Sequence, residues 1–309
     1  MKHKNKRRLI NKKLLWTLVI GIFLLSIIIE ISLRVFWGFC DAPLYVPNEK
    51  YEYIAAPNQE GERFGNKYYY NSFSQRSQEP DSSKTIILGL GDSVIYGGVQ
   101  SDQDSIATSI FNREMLGFQL LNISAGSWGP DNCAAYLNEK GTFGASAMFL
   151  VVSSHDAYDN MDFKPVVGVH PSYPKRQYLM AWGELIDRYV SPRISKYFSK
   201  KETLDPDQKV LNGIRKEGLV FNTGFEKLKV ISESLDIPLI IYLHAEKSEL
   251  EAGEYNDQGE VIIKWAFENG IKTIKEFDYN FVDSDYRDGI HLSNQGQAKL
   301  AQIMKEFLR

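Results

Sequence analysis

The sequence predicts a three-layer α/β/α fold of the flavodoxin-like type, with a parallel sheet of about five strands and one membrane-spanning helix before it. Three observations predict this fold. From residue 84 onward, short apolar segments alternate with segments of helical length. The apolar segments are continuous, as in strands that are buried on both faces. The chain of 309 residues, 43% of them hydrophobic, is also long enough for one sizeable core.

The amino-terminal end predicts a membrane anchor. Residues 1–13 form a basic segment with seven Lys or Arg, and residues 14–39 are almost wholly apolar, about the length that spans a bilayer. Glu30 and Arg34 interrupt the apolar run four residues apart, so they can pair on one helical face. The basic end is expected to stay in the cytoplasm, which places the rest of the chain in a periplasm or at the cell surface. A cleaved signal peptide is the alternative, although no small-residue cleavage site follows.

Charge is divided unevenly along the chain. Residues 1–34 hold eight basic residues and one acidic residue, a net charge of +7, which leaves 28 basic and 38 acidic residues, a net of −10, for the remainder. An acidic outer domain argues against nucleic acid as a partner. The two cysteines, Cys40 and Cys133, give neither a disulfide framework nor a metal-type spacing. We therefore expect no bound metal and no cofactor.

The remaining elements follow from local patterns. Residues 40–83 combine tyrosines with Pro, Gly and Asn, which predicts a linker of short strands and turns packed on the main domain at 84–309. The strands of that domain are predicted at 85–90, 118–122, 147–152, 238–243 and 279–282. Its helices are predicted at 104–115, 131–140, 209–235, 257–269 and 293–308, the last of them capped by Ser293.

Residues 157–206 do not fit this alternation. They are rich in proline and aromatic residues and follow the third predicted strand. An insertion at this place overlooks the carboxyl edge of the sheet, where it would shape a substrate groove or lid. A helical elaboration that only covers the sheet is the alternative.

Two short motifs suggest acyl chemistry. Ser93 follows an apolar strand and Gly91-Asp92, at the sheet edge where nucleophiles and ligands lie in α/β folds. His291 lies three residues after Asp288, so a short turn can bring the carboxylate back onto the ring. A serine hydroxyl needs such a base before it can act as a nucleophile. Each residue also has an ordinary interpretation when taken alone, since Ser93 is a suitable helix cap and Asp288 and His291 could be loop residues without a catalytic role.

With these motifs in place, the chain resembles the SGNH (GDSL-type) hydrolases and acyltransferases, in their membrane-anchored bacterial cell-envelope form. The resemblance spans about residues 84–309 and rests on four blocks, at 91–93, 122–126, 153–156 and 288–291. It implies Ser93 as nucleophile, His291 as base and Asp288 as its partner. It also implies an oxyanion hole made by the backbone N–H groups of Ser93 and Gly126 and by a third donor.

The third block departs from the family pattern, because His155 stands where the family has asparagine. An imidazole N–H can also donate a hydrogen bond, so we expect His155 to serve as the third donor. A weakened oxyanion hole is one alternative. A shifted alignment that brings Asp159 or Asn160 into the site is another.

Three further side chains lie close to the motif loops and are expected to contact substrate: His244, Trp128 and Asn132. For His244 the competing interpretation is a histidine of a surface loop, and for Trp128 and Asn132 it is ordinary core packing. The same edge could gather Asp92, His155, His244, Asp288 and His291 into a metal-dependent hydrolase site, but no short metal-ligand motif joins them.

These observations lead to one expected function and two alternatives. The resemblance implies an extracytoplasmic serine esterase or O-acyltransferase that acts on acylated, in particular acetylated, cell-envelope carbohydrate through an acyl-enzyme. A transferase would need a multipass partner to supply acyl groups, since one span cannot translocate them. A lipid or small-ester hydrolase is the first alternative. A non-catalytic glycan-binding or assembly protein on the same scaffold is the second.

Overall fold

The computed structural model describes residues 12–191, 193–194, 216 and 218–307. Helix α1 (Lys12–Trp37) is apolar and exposed, and its residues Leu14–Trp37 form a 24-residue candidate membrane span with a mean hydropathy of 2.6. Glu30 and Arg34 form the expected ion pair, with 2.7 Å between Arg34 Nε and Glu30 Oε1. The helix ends before the predicted limit at residue 39, because the Phe39 ring is buried in the following domain.

Two antiparallel hairpins follow the helix. Their strands are β1 (Tyr45–Asn48) paired with β2 (Glu52–Ala55), and β3 (Gln59–Arg63) paired with β4 (Asn66–Tyr70). Tyr45 and Tyr70 point inward, and both of their hydroxyl groups hydrogen-bond to the hydroxyl of Tyr96 in the main domain. Residues 45–70 are thereby packed against the segment that carries Ser93.

The main sheet is parallel and has the strand order β6-β5-β7-β8-β9. Its strands are β5 (Thr85–Gly91), β6 (Phe118–Ser124), β7 (Ala147–Ser153), β8 (Leu239–His244) and β9 (Lys272–Lys275). Every residue of β7 and β8 is buried, which explains why their sequences are continuous apolar runs. β5 lies between β6 and β7, so the connections on its two sides diverge above its carboxyl end. Such a switch point is where α/β sheets open a crevice for ligands.

The predicted fifth strand at 279–282 is wrong, since the fifth strand is Lys272–Lys275. The chain leaves the sheet at Glu276, whose fully buried carboxylate accepts hydrogen bonds from Tyr242 and His244. A 3₁₀ turn (Glu276–Tyr279) follows, and Asn280 then adopts a left-handed conformation with φ 51°. A strand cannot continue through that turn.

Helices cover both faces of the sheet and complete the three layers. They are α2 (Ser93–Tyr96), α3 (Ala107–Glu114), α4 (Pro130–Lys140), α5 (Ala181–Leu185), α6 (Gly224–Leu235), α7 (Lys247–Ala252), α8 (Asp257–Glu268) and α9 (Asn294–Phe307). Apolar residues of α4, α6 and α8 share one core with the sheet, and those of α3 and α9 share the other. Other short turns are Gly98–Gln100, Gln103–Ser105, Ser154–Ala157 and Asp283–Asp285.

Four of the five helix predictions match these elements closely. The expected cap of α9 is present, because Ser293 Oγ accepts a hydrogen bond from the backbone N–H of Gly296 at 3.3 Å. The helix predicted at 209–235 is present only over 224–235, which form α6. Residues 216 and 218–223 are not helical, so the prediction is wrong there, while 209–215, 217 and 308 lie outside the described residues. The insertion does follow β7. Its described part contains α5 and a π-helical continuation, Ile186–Val190.

Candidate active site

A tight turn after β5 fixes the candidate nucleophile. Gly91 has φ 153°, and a Cβ atom there would lie 2.5 Å from the carbonyl oxygen of Val151, so only glycine fits. Asp92 then caps α2, because its Oδ1 accepts the backbone N–H of Val94 at 2.9 Å. Ser93 is the first residue of α2 and stands half-buried at the carboxyl edge of the sheet. The turn therefore places Ser93 above the end of β5, where the connections on the two sides of that strand diverge.

Asp288 and His291 form the expected pair. The ring Nδ1 of His291 lies 2.8 Å from Asp288 Oδ2, and Oδ1 accepts the backbone N–H groups of Ile290 and His291 at 3.0 and 2.8 Å. Partial burial acts to raise the pKa of Asp288, but these donors and the His291 ring outweigh it and hold that pKa well below its usual range. The charged carboxylate orients the ring and leaves Nε2 as the nitrogen that can act as a base.

The hydroxyl of Ser93 is oriented by its neighbour. Ser93 Oγ donates to Asp92 Oδ2 across 3.5 Å, a long contact, and makes no hydrogen bond to the His291 ring. Nucleophile–base contacts of this kind commonly tighten when substrate binds.

His244 supports the loop of the candidate base, and its enclosed ring is not placed to contact substrate. Its ring is fully buried, with Nδ1 2.5 Å from Glu276 Oε2 and Nε2 2.6 Å from the carbonyl oxygen of Ile290. Burial acts against the charged ring, but the Glu276 carboxylate outweighs it and raises the pKa of His244. Both nitrogens then donate, and the second bond fixes the residue directly before His291.

Trp128 and Asn132 are also structural, so the substrate contacts predicted for them are wrong. Trp128 is 1% exposed, and its Nε1 donates to the carbonyl oxygen of Tyr53 at 2.8 Å. Asn132 is fully buried and donates to Glu52 Oε2 at 2.8 Å, beside an ion pair of 2.5 Å between Glu52 and Lys216. These side chains join the first hairpin to α4 and to the region after the insertion.

Two tyrosines hold the loop of the predicted oxyanion hole. The carbonyl oxygen of Gly126 accepts hydrogen bonds from the Tyr53 hydroxyl at 2.8 Å and from the Tyr173 hydroxyl at 2.9 Å. Among the described residues, the backbone N–H of Gly126 and that of Ser93 donate to no protein acceptor. The peptide of Gly126 is thus anchored through its carbonyl group while its N–H stays available.

His155 lies beside the nucleophile turn, surrounded by carboxylates. One ring nitrogen and one oxygen each of Asp92 and Asp156 lie within 4.8 Å of one another. The ring Nδ1 is 2.9 Å from Glu246 Oε1, and Nε2 is 4.0 Å from Asp159 Oδ2. Burial of the ring acts against its charged form, but these carboxylates outweigh it and raise the pKa of His155 to about 10. At neutral pH the ring is therefore an imidazolium with two donors.

The shifted alignment finds no support in this geometry. Asn160 Nδ2 donates to the carbonyl oxygens of Tyr158 and Val220, which fixes it in the loop after β7. Asp159 borders the His155 ring as a carboxylate and offers no donor when it is ionised. Of the three residues, His155 is the one suited to donate to an oxyanion.

Asp92, His155 and Asp156 also have the donor types of a small cation site, and Asp156 Oδ1 is buried without a partner among the described residues. The described group does not include His244, Asp288 or His291. The three residues form one cluster at the nucleophile turn, in which the Asp156 carboxyl group favours the charged form of the His155 ring.

Two further residues of the site were not predicted from the sequence. Glu246 holds the His155 ring, and Arg287 reaches from the Asp288 loop to Ser101 Oγ at 3.1 Å in the loop after α2. Their positions offered a signal, because Glu246 follows a strand at the catalytic edge and Arg287 precedes a motif residue. Nothing local in the sequence identifies the partner of either.

Replacing Gly126 with alanine should destabilise the fold by about 1–3 kcal/mol, the usual cost of overpacking. The new Cβ would lie 2.7 Å from Tyr173 Oη but 3.6 Å from Cζ, so the clash is with the hydroxyl group. The second change Tyr173→Phe should therefore recover most of this loss, although alone it costs about 1 kcal/mol through its lost hydrogen bond. Denaturant unfolding of all four proteins measures the coupling. Additive losses would contradict the packing of the insertion on this loop.

Comparison with known proteins shows similarity at the level of structure. No protein-family profile and no curated protein sequence matches the chain. One similar solved structure is a lipolytic G-D-S-L family member from Veillonella parvula, 14% identical, which covers 73% of this chain and 99% of its own with a TM-score of 0.42. The esterase EstA from Pseudoalteromonas sp. is 10% identical and covers 73% and 97%, with a TM-score of 0.42.

The carbohydrate acetylesterase Est24 from Sinorhizobium meliloti is a third, 12% identical, covering 73% and 98% with a TM-score of 0.39. At such identities these structures are compared as folds alone. The strand order of the main sheet and the positions of Ser93, Asp288 and His291 are observed in the structure of this chain and are not transferred from those proteins. The five-stranded parallel sheet with its flanking helices fits the α/β fold of the SGNH hydrolases.

Proposed function

We propose that the chain is a membrane-anchored, extracytoplasmic serine esterase or O-acyltransferase that acts on acylated cell-envelope carbohydrate. The observation that carries the chemistry is the Asp288–His291 pair, whose loop is bonded through Ile290 to His244 at the carboxyl end of β8, the same sheet edge at which Ser93 follows β5. Available N–H groups at Ser93 and Gly126 and the charged ring of His155 accompany the pair. Nucleophile, base and anion-stabilising donors are the components that acyl transfer needs.

The reaction follows from these positions. Ser93 Oγ attacks the ester carbonyl carbon while His291 Nε2 takes the hydroxyl proton, and the negative charge moves to the former carbonyl oxygen. The N–H donors of Ser93, Gly126 and His155 stabilise that oxyanion. Its collapse breaks the ester bond, the leaving sugar oxygen receives the proton from His291, and the acyl group stays on Ser93. Water or a second sugar hydroxyl then attacks and regenerates Ser93 by the same steps.

The cellular setting is supported by the amino-terminal segment. A basic end before an apolar helix favours a cytoplasmic amino terminus and an outer catalytic domain. The family resemblance supports acetylated envelope carbohydrate as substrate. If the acceptor is a sugar, a multipass partner must supply the acyl donor. Assays of the full chain with acetylated glycan and with dispersed lipid ester separate carbohydrate from lipid specificity.

Labelling with a fluorophosphonate probe tests the activated serine. We expect the full chain in detergent to be labelled at Ser93, and the Ser93→Ala and His291→Ala variants to lose the label, because the probe reacts with a serine whose base is in place. Ser234→Ala, an exposed serine on α6, is the matched control and should label normally. If the native chain is folded and the probe can enter its site, but Ser93 is still not labelled, the result would favour the glycan-binding or assembly function.

A further inference from the structure

An exposed apolar stripe, to which no apolar side chain of the described residues is assigned as a core partner, runs along α5 and its π-helical continuation. Trp182, Ile186 and Val190 recur every four residues and are 37%, 46% and 37% exposed. Directly before them, Leu179 and Met180 are 93% and 57% exposed. Ala181 and Glu184 of the same segment are buried, so its inner side is packed on the domain while the apolar stripe faces outward. Helices of this kind lie in the plane of membrane interfaces.

The start of this segment is bonded to the candidate membrane span. Glu30, in the last two turns of α1, accepts the backbone N–H of Ala181 at 2.8 Å and that of Trp182 at 3.3 Å. Arg34 donates to the carbonyl oxygen of Leu179 at 2.7 Å in addition to its bond with Glu30. The stripe therefore begins next to the end of the span, where the bilayer surface would be.

A buried ion cluster makes this junction rigid. Glu184, on the inner side of α5, accepts hydrogen bonds from Arg63 at 2.5 Å, from Arg188 at 2.9 Å and from the backbone N–H of Cys40 at 2.7 Å. Arg63 also donates to the carbonyl oxygen of Gly38, directly after α1. The side chains of Arg63 and Glu184 are 2% and 1% exposed. The exit of the span, the hairpins and α5 are thus held in one arrangement.

From these contacts we infer that the stripe on residues 179–190 docks on the outer surface of the lipid bilayer that α1 spans. Continuity with the span selects lipid as the occupant, because a helix bonded to the end of α1 has its exposed apolar side at the depth of the interface. Tryptophan at this level is typical of membrane interfaces. Lys175 and Arg176, both exposed just before the stripe, suit anionic headgroups. The inference rests on the proposed membrane anchor.

Docking would also position the catalytic edge. Tyr173, which holds the Gly126 carbonyl, is six residues before Leu179, so the oxyanion loop and the stripe are joined by at most about 20 Å of chain. The insertion then serves as the connection between bilayer and active site. The site would accordingly act on acyl groups close to the membrane surface, including those of lipid-linked glycans.

Spin-label accessibility in vesicles tests the inference without any need for catalysis. The full chain with Cys40→Ser is reconstituted in phosphatidylethanolamine–phosphatidylglycerol vesicles and labelled at Ile186→Cys. Cys133 is fully buried and stays in place. Phe23→Cys reports on the span itself, and Phe267→Cys, on the 84% exposed side chain of α8, is the aqueous control. Collision with oxygen and with a water-soluble nickel chelate is measured for each label.

We expect the Ile186 label to lose nickel access and to collide with oxygen, as the Phe23 label does, while the Phe267 label shows the reverse. A Phe23 label in lipid together with an Ile186 label in water would overturn the docking and leave the anchor intact. An Ile186 label shielded from both reagents would overturn it in favour of a protein contact. If the Phe23 label is also in water, the anchor itself fails, and the docking fails with it.

Discussion

Replacing Asp288 with asparagine should lower the turnover of a simple aryl acetate by about 10⁴-fold, the typical loss when the carboxylate of a serine triad becomes an amide. The Asp288 carboxylate accepts the Nδ1–H of His291 at 2.8 Å. An amide can instead donate to that nitrogen, which favours the tautomer that carries the proton on Nε2. The ring then cannot take the proton of Ser93.

The measurement is kcat of the full chain in detergent, with thermal unfolding to show that the loop keeps its fold. Asp236→Asn is the matched control, since Asp236 is exposed and left-handed with φ 53°, a conformation that asparagine tolerates. It should leave kcat unchanged. A loss of less than tenfold in Asp288→Asn would mean that His291 is oriented by other groups and that the proposed triad is wrong.

The sheet could be located from the sequence because its strands are buried on both faces. Each of the first four predicted strands lies within two residues of the observed one, since burial on both sides leaves only apolar residue types. The fifth strand lies at the edge of the sheet and is short, and its sequence, Lys272–Lys275, has alternating character. The run at 279–282 is more apolar and therefore resembles a buried strand in sequence, but the chain has already left the sheet at the buried Glu276.

In the candidate site, contacts between residues close in sequence could be predicted, whereas contacts between distant residues could not. Asp288 and His291 are three residues apart, so their pairing could be predicted from a turn alone. Glu246 is 91 residues from His155, and no local pattern reveals that contact. Position at the sheet edge was also a weak guide to exposure. His244 ends β8 at the same edge of the sheet where Ser93 follows β5, yet its ring is fully buried and bonded to Glu276 and to the Ile290 carbonyl group.

Replacing His155 with alanine should lower kcat by about 10²–10³, the usual cost of removing one oxyanion donor. Asparagine restores a neutral donor at the same position, so His155→Asn should keep much of the activity that alanine loses. This comparison separates donation from a merely structural role. Equal losses in both variants, with unchanged unfolding temperatures, would exclude His155 as a donor.

The dependence on pH gives a second test of the same residue. The pKa of His155 is raised to about 10, so the imidazolium predominates below that pH and is lost above it. Because Nδ1–H stays bonded to Glu246, deprotonation removes the proton from Nε2 and turns that donor into an acceptor. Native activity should therefore fall as the pH rises through about 10, and His155→Asn should lack this alkaline fall.

Glu246→Gln makes the test specific to the carboxylate. It removes one of the charges that favour the imidazolium, so the pKa of His155 should decrease and the alkaline fall should move to lower pH. Rates are corrected with Ser93→Ala, which measures spontaneous hydrolysis at high pH. An alkaline limb that stays in place in Glu246→Gln, or that persists in His155→Asn, would show that another group titrates there. It would leave the oxyanion hole with the two backbone donors of Ser93 and Gly126.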